Sequence, residues 1–240
     1  MLVTGGSAGI GLAIVHRFTT EGAAAVNLDL ESPDTGAGGS STVLGDAASE
    51  QDVHRAVELA SIDGVLDVLV CNAGIACVGP LEAIEPEAFD RAFAVNVRGP
   101  YLAIREALPR LRASDAPAIV LVSSNAGLVG RASDPVYSAT KFALQGLVRS
   151  LAISLASDRV RINAVCPGPV DTAGLWGAAE ADAALLPDIL RNVPLGRALG
   201  RMASAEEIAD AVSFLCSERA RFITGALVPV DGGKTAGLDE

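Results

Sequence analysis

The first eighteen residues constrain this chain more than any other stretch. A short apolar run, Leu2-Val3, passes through Thr4-Gly5-Gly6-Ser7-Ala8-Gly9-Ile10-Gly11 into a segment with Ile10, Ala13, Ile14 and Phe18 at three- and four-residue spacing. That pattern predicts a strand, a tight turn and an amphipathic helix with one face turned to a core. Glycines let the turn close tightly and let backbone N–H groups approach an anion at the positive end of the helix. The spacing is Gly-x-x-x-Gly-x-Gly rather than the commoner Gly-x-Gly-x-x-Gly, so the turn alone is equally an ordinary glycine-rich turn. Met1 to Val3 leave room for only a short first strand, or else the true start lies a few residues earlier.

The rest of the chain repeats the strand–helix alternation. Gly22 ends the first helix, and Ala24–Leu28 reads as a strand closing on Asp29; residues 32–41 are a Ser/Gly/Pro-rich loop, Thr42–Leu44 a third strand, and a helix begins near Ser49. Leu66–Cys71 is an apolar strand breaking at Asn72-Ala73-Gly74, and a long helix is expected over 86–112. Ala118–Val122 ends at Ser123-Ser124, a helix over 135–157 follows, and Val160–Val165 is stopped by Pro167-Gly168-Pro169. Residues 171–203 are alanine-rich and irregular, Ala205–Cys216 is helical, and Ala226–Val230 is the last strand. Such alternation implies an α/β protein with a doubly wound parallel sheet, in which ligands bind outside the carboxyl ends of the strands. Gly5–Gly11, Asp29, Asp46, Asn72–Gly74, Ser124 and Pro167–Thr172 all fall at those ends.

Composition fits this reading. At 240 residues, with 50% hydrophobic, 20% charged and only 4% aromatic, the chain suits a single domain (1–240) with an aliphatic core. The net charge of −11 argues against a nucleic-acid partner. Cys71, Cys77, Cys166 and Cys216 form no Cys-x-x-Cys pair, and His16 and His54 stand away from them, so reduced thiols and no metal site are expected. Residues 1–20 lack the basic start and unbroken apolar core of a signal peptide, and no apolar run reaches a membrane span, so a soluble, cytoplasmic protein is expected.

Two features carry chemistry. Asp29 lies 18 residues beyond Gly11, where an acidic residue can grip the hydroxyls of an adenosine ribose. A carboxylate there repels a 2′-phosphate by about 1–4 kcal/mol at ~4 Å. No Arg or Lys lies between Thr4 and Gly11 to hold that phosphate, so NAD is expected rather than NADP; Asp29 could equally cap a loop. Tyr137-Ser138-Ala139-Thr140-Lys141 puts a phenol and an ammonium on one helix face, in a chain with only two tyrosines and two lysines. A free phenol, with a pKa near ~10, is a poor base at neutral pH, and a neighbouring cation stabilises its phenolate. By itself the pair reads as a helix surface contact.

With Ser124 thirteen residues before Tyr137, the set changes meaning. Thr4–Gly11, Asn72–Gly74, Ser124, Tyr137–Lys141 and Pro167-Gly168 run in the order of the short-chain dehydrogenase/reductase family, and the chain resembles that family along almost its whole length. The resemblance implies a Rossmann fold. It makes Tyr137 the catalytic acid/base, Ser124 the residue that orients the substrate oxygen, and Lys141 the partner of the nicotinamide ribose. Asn96 matches the asparagine that holds a water in the proton relay. Gly5, Ser7, Gly9, Ile10 and Gly11 would hold the pyrophosphate side, Asp29 and Leu30 the adenosine ribose, and Asp46 and Ala47 the adenine. Asn72, Ala73 and Gly74 would line the cofactor and steady the sheet, Pro167 and Gly168 would also bind the cofactor, and Val170 and Thr172 would meet its carboxamide. Family spacing selects Ser124 over Ser123, since neighbours on a strand point to opposite sides.

The implied function is NAD-dependent hydride transfer between a secondary alcohol or ketone and the nicotinamide. The alternatives are an NADPH-dependent 3-oxoacyl thioester reductase of the same family, a non-catalytic NAD-binding protein, and a lyase or epimerase on the same fold. Specificity is expected in the segment after Thr172 (Leu175, Trp176, Leu185, Leu186, Ile189), with Asn125, Val129 and Ala76 also at the pocket. Trp176 either lids the substrate or packs on the domain. The few charges there favour a neutral alcohol over a phosphorylated one. The resemblance further implies a homo-oligomer, a homotetramer built on helices 86–112 and 135–157 and the last strand.

Overall fold

A computed structural model describes residues 1–33, 40–178 and 186–237, with the side chains of 176–178 left aside. Seven parallel strands form one sheet in the order β3-β2-β1-β4-β5-β6-β7. They are β1 (Leu2–Thr4), β2 (Ala25–Asp29), β3 (Ser40–Leu44), β4 (Val68–Cys71), β5 (Ala118–Val122), β6 (Arg161–Pro167) and β7 (Leu227–Val230). The order reverses between β1 and β4, where Thr4 is level with Leu28 on one side and Cys71 on the other. Chains leaving β1 and β4 therefore diverge, and a crevice opens over their carboxyl ends.

Each central strand is apolar on both faces because helices cover both. Side chains alternate along a strand: in β4, Leu69 and Cys71 enter one core layer and Val68 and Val70 the other, and in β5, Ile119 and Leu121 oppose Ala118, Val120 and Val122. The first layer is closed by α2 (Glu50–Ala60), α4 (Gly99–Leu111) and α5 (Pro135–Ser154) through residues such as Val53, Val57, Leu102, Leu144 and Val148. The second is closed by α1 (Gly9–Thr20) and α9 (Ala205–Cys216), the last of the helices, through Ile14, Phe18, Ile208 and Val212. Ser204 and Glu207 form a reciprocal capping box at the start of α9, and Arg201 pairs with Glu207 on both carboxylate oxygens at 2.9 Å.

Three expected elements differ. The helix expected over 86–112 is α3 (Pro86–Phe93), a π-turn (Ala94–Arg98) and then α4. Pro100 lacks an N–H and crowds the carbonyl one turn back, and the wider π-turn absorbs that defect. A Cβ on Gly99 would stand 2.9 Å from the Ala47 carbonyl oxygen, so the chain is held close at this break. The helix expected over 135–157 ends at Ser154, with a 3₁₀ turn at Ala156–Asp158 and a left-handed Arg159 (φ 60°) leading into β6. Residues 171–203 are not simply irregular: they hold the short helices α6 (Ala173–Ala178), α7 (Leu186–Leu190) and α8 (Pro194–Leu199). Among the described residues no helix is long and apolar enough to cross a membrane.

The junction that opens the crevice leaves no room for side chains. A Cβ on Gly11 would lie 1.9 Å from the Gly5 carbonyl oxygen and 2.5 Å from Asn72 Nδ2. Gly11→Ala is expected to shift the urea midpoint by the equivalent of about 1–3 kcal/mol of overpacking; an unchanged midpoint would show that the turn can relax.

Candidate active site

The glycine turn is fixed from two sides. From β4, Asn72 donates through Nδ2 to the carbonyls of Gly5 (2.7 Å) and Thr4 (3.2 Å), while Thr4 Oγ1 accepts the N–H groups of Asn72 and Ala73. From β2, Asn27 Oδ1 accepts the Gly6 N–H at 2.6 Å and Asp29 accepts the Ser7 N–H at 2.9 Å. The second Asp29 oxygen takes the Leu30 N–H at 2.7 Å, so the carboxylate is held at the end of β2. Gly5 and Gly9 have φ of 70° and 50°, which side-chain-bearing residues rarely adopt. The only contacts a Cβ on Gly9 would meet are with Thr172, its Cγ2 at 3.3 Å. The start of α1 thus faces Thr172 of the segment after β6 across the side-chain-free Gly9, and such a helix N-terminus beside glycine is a form that suits an anion.

Asp46 stands at the end of β3. Its carboxylate accepts the Ala48 N–H and the Arg91 guanidinium, both at 2.8 Å. Partial burial opposes ionisation, but these two donors outweigh it and hold the carboxyl below its ordinary range. Its side chain is therefore taken up by the chain's own bonds, and Ala47 beside it is buried.

At the other end of the crevice, Tyr137 and Lys141 lie one turn apart on α5. Lys141 is only 4% exposed; its Nζ donates to the Val122 carbonyl at 3.2 Å and sits 5.5 Å from the centre of the Tyr137 ring. The two serines after β5 diverge as strand alternation requires. Ser123 donates to the Lys141 carbonyl at 3.4 Å and so faces α5, whereas Ser124 caps the turn Asn125–Gly127 by accepting the Ala126 N–H at 3.1 Å. Asn96 sits fully buried in the π-turn. Its Oδ1 accepts the Ile75 N–H at 2.8 Å, and its Nδ2 donates to the Ile75 carbonyl at 3.0 Å and to Thr140 Oγ1 at 3.1 Å. Thr140 donates in turn to the Tyr137 carbonyl at 2.7 Å, tying Asn96 to the tyrosine's helix. A Cβ on Gly74 would stand 3.3 Å from Asn96 Oδ1 and 3.4 Å from Lys141 Nζ, so only glycine keeps that space beside the ammonium open.

After β6, Gly168 donates to the Val230 carbonyl at 3.0 Å, and a Cβ there would meet Asp231 at 2.8 Å. Val170 is buried and bridges to Ala203. Leu175, Leu186 and Ile189 pack on a small cluster of Leu190, Val193 and Met202, which gives this segment its own apolar support. Leu185 and the Trp176 side chain lie outside the described residues. Asn125 is buried, whereas Val129 and Ala76 are exposed.

Several site residues were not singled out from sequence. Thr140 lies inside the Tyr-x-x-x-Lys stretch, and Asn27 is a polar residue in an otherwise apolar strand; that mismatch was the available signal. Charges also gather near the start of α5. Arg131 pairs with buried Asp134 at 3.1 Å, and Lys234 lies within their electrostatic reach. Burial, with Arg131 alongside, pushes the Lys234 ammonium below its ordinary range.

The comparisons follow this geometry. Residues 5–235 match the family described as enoyl-(acyl carrier protein) reductase. The 2-(S)-hydroxypropyl-CoM dehydrogenase 3 of Xanthobacter autotrophicus is 37% identical over 98% of this chain and 95% of its own length. Aldohexose dehydrogenase of Thermoplasma acidophilum superposes with a TM-score of 0.91 at 32% identity, over 100% of this chain and 95% of its own. The 3-ketoacyl-(acyl-carrier-protein) reductase of Brucella melitensis, solved with NADH, gives 0.85 at 33% identity, over 98% and 97%. Fold and relatives together define an oxidoreductase. The chain belongs to the short-chain dehydrogenase/reductase family.

All four cysteines are free and buried. Burial pushes the thiols of Cys71 and Cys216 up to about 12 and that of Cys166 up to about 11. In a Cys77→Ser background these three thiols are expected to resist a disulfide reagent at pH 8 until the chain unfolds. The unfolded chain releases thiol protons above about pH 8.5, which the folded chain retains, so stability is expected to fall as pH rises from there towards 11. Rapid labelling of the native protein at pH 8 would contradict the burial.

Proposed function

We propose that this protein is an NAD-dependent dehydrogenase or ketone reductase acting on a secondary alcohol or its ketone. The observation that carries the reading is the buried Lys141 ammonium beside the Tyr137 ring, with Ser124 at the adjacent strand end. Tyr137 accepts the alcohol O–H proton in oxidation and returns it in reduction. The Lys141 Nζ lies 5.5 Å from the centre of the Tyr137 ring, and Ser124 offers a hydrogen bond to the substrate oxygen as charge on that oxygen changes. Asn96, through Thr140 and Ile75, positions α5 and the segment after β4. Bound NAD supplies the hydride acceptor, so the alcohol carbon loses its hydrogen with two electrons and becomes a carbonyl. Gly5–Gly11, Asn72–Gly74, Pro167, Gly168, Val170 and Thr172 would hold the cofactor between its two ends. Asp29, held by Ser7 and Leu30, favours NAD over NADP, because its charge opposes a 2′-phosphate.

A 3-oxoacyl thioester reductase is the second reading, favoured by the Brucella relative; the description of the matching family supports the acyl-carrier substrate but names an enoyl rather than a 3-oxo group. A non-catalytic role has less support, since Ser124, Tyr137, Lys141 and Asn96 are all present. Initial rates with NADH and NADPH on ketones and 3-oxoacyl thioesters separate these; a strong NADPH preference on the thioester would replace the first reading with the second. Tyr137→Phe is expected to lower kcat on the order of 10³-fold while NADH binding, followed by fluorescence, persists. Near-normal turnover in that variant would remove Tyr137 from the proton transfer.

The reading includes a homotetramer. An apolar groove between α5 and the run from the end of α3 through the π-turn into α4, lined by Phe93, Val97, Tyr101, Ala143 and Leu147, and the half-exposed Tyr101 and Phe142 favour helix-to-helix association of copies. Light scattering is expected to give four copies, and Tyr101→Glu to shift the mass downward.

A further inference from the structure

Asn27 is 1% exposed in β2, on the face that also carries Asp29, and it points into an aliphatic layer where an unsatisfied amide is costly. It is fully engaged with the glycine turn. Oδ1 accepts the Gly6 N–H at 2.6 Å, and Nδ2 donates to Ser7 Oγ at 2.8 Å. These two bonds fix both the amide's orientation and the direction of the serine hydroxyl. With one lone pair facing Asn27, Ser7 Oγ donates its proton to the Glu31 carbonyl at 2.5 Å. The Ser7 N–H is given to Asp29. Ser7 stands beside the Asp29 carboxylate, where a 2′-phosphate on the ribose would come, yet both of its donors are already spent inside the protein.

We infer that Asn27 is a specificity-determining positioning residue: by holding the Ser7 hydroxyl to Glu31 it denies a 2′-phosphate a side-chain donor beside Asp29. Discrimination against NADP then has two parts, the charge of Asp29 and the withdrawal of the Ser7 hydroxyl. Without the Asn27 amide, the hydroxyl loses its fixed direction and can turn to a phosphate oxygen. A hydrogen bond to a charged group is among the stronger ones. This inference rests on the NAD reading above.

The test measures binding of NADH and NADPH by fluorescence titration, without turnover, in the wild type, Asn27→Ala, Ser7→Ala and the double variant. In the wild type NADH binds more tightly. Asn27→Ala is expected to narrow the NADH-to-NADPH affinity ratio about tenfold. Ser7→Ala is expected to move both affinities together and leave the ratio in place. In the double variant the narrowing disappears, because the freed hydroxyl is gone. Asn27→Thr, β-branched and suited to a strand but too short to span to Ser7, takes the place of Asn27→Ala if that variant does not fold. An Asn27 variant with the wild-type ratio overturns this inference alone. A narrowing that survives in the double variant also overturns it, since the effect would not pass through Ser7. A wild type that binds NADPH as well as NADH overturns the NAD reading and this inference with it.

Discussion

The close contact of the glycine turn with the end of β4 is the constraint on which the rest depends. Asn72 spans from β4 to the Thr4 and Gly5 carbonyls, and Gly11 lies against Gly5 with no space for a methyl group. This single junction joins the first strand, the first helix and the next strand of the sheet at the point where strand order reverses. It therefore shapes the anion cradle and places the Asn72–Gly74 segment next to Lys141. A side chain at Gly11 would push these three elements apart together.

The two ends of the crevice use buried polar groups in different ways. At the β2 end, Asn27, Ser7, Asp29 and Glu31 bond to one another and to the neighbouring backbone, so the turn is preorganised and few donors are left over. At the other end, Lys141 keeps a single hydrogen bond to the Val122 carbonyl, and its charge faces a phenol. An ammonium needs strong compensation when removed from water. Its placement beside Tyr137 and under Gly74 is thus a feature that an ordinary helix-surface pair would lack. Asn96 contributes from the π-turn, where the helical ladder is interrupted and a side chain can reach Ile75 and Thr140 at once.

Much of this was legible from residue pattern. Strand–helix alternation predicts the parallel doubly wound sheet that is found, and with it a crevice at the carboxyl ends of β1 and β4. Alternation also separated Ser123 from Ser124. Less was legible where backbone geometry depends on distant partners. The break of 86–112 at the π-turn follows from Pro100 and from the close approach of Gly99 to Ala47, which periodicity does not report. The helices within 171–203 are short and rest on the Leu190–Met202 cluster, a contact set by the tertiary fold. The pairing of the Asp46 carboxylate with Arg91, forty-five residues away, is likewise a contact that residue pattern does not report.

By itself the sequence determined the class of fold, the order of its elements and the identity of the groups at the strand ends. These depend on local periodicity, on glycine's freedom at Gly5 and Gly9, and on four-residue spacing in a helix. Only the tertiary structure decided which of those groups remain free to act. Asn27 and Ser7, Arg91 and Asp46, Lys141 and Val122 are each far apart in the chain. Whether a donor or a charge is spent inside the protein or kept for a ligand is fixed by such long-range pairs, because a polar group removed from water loses free energy unless it is hydrogen-bonded.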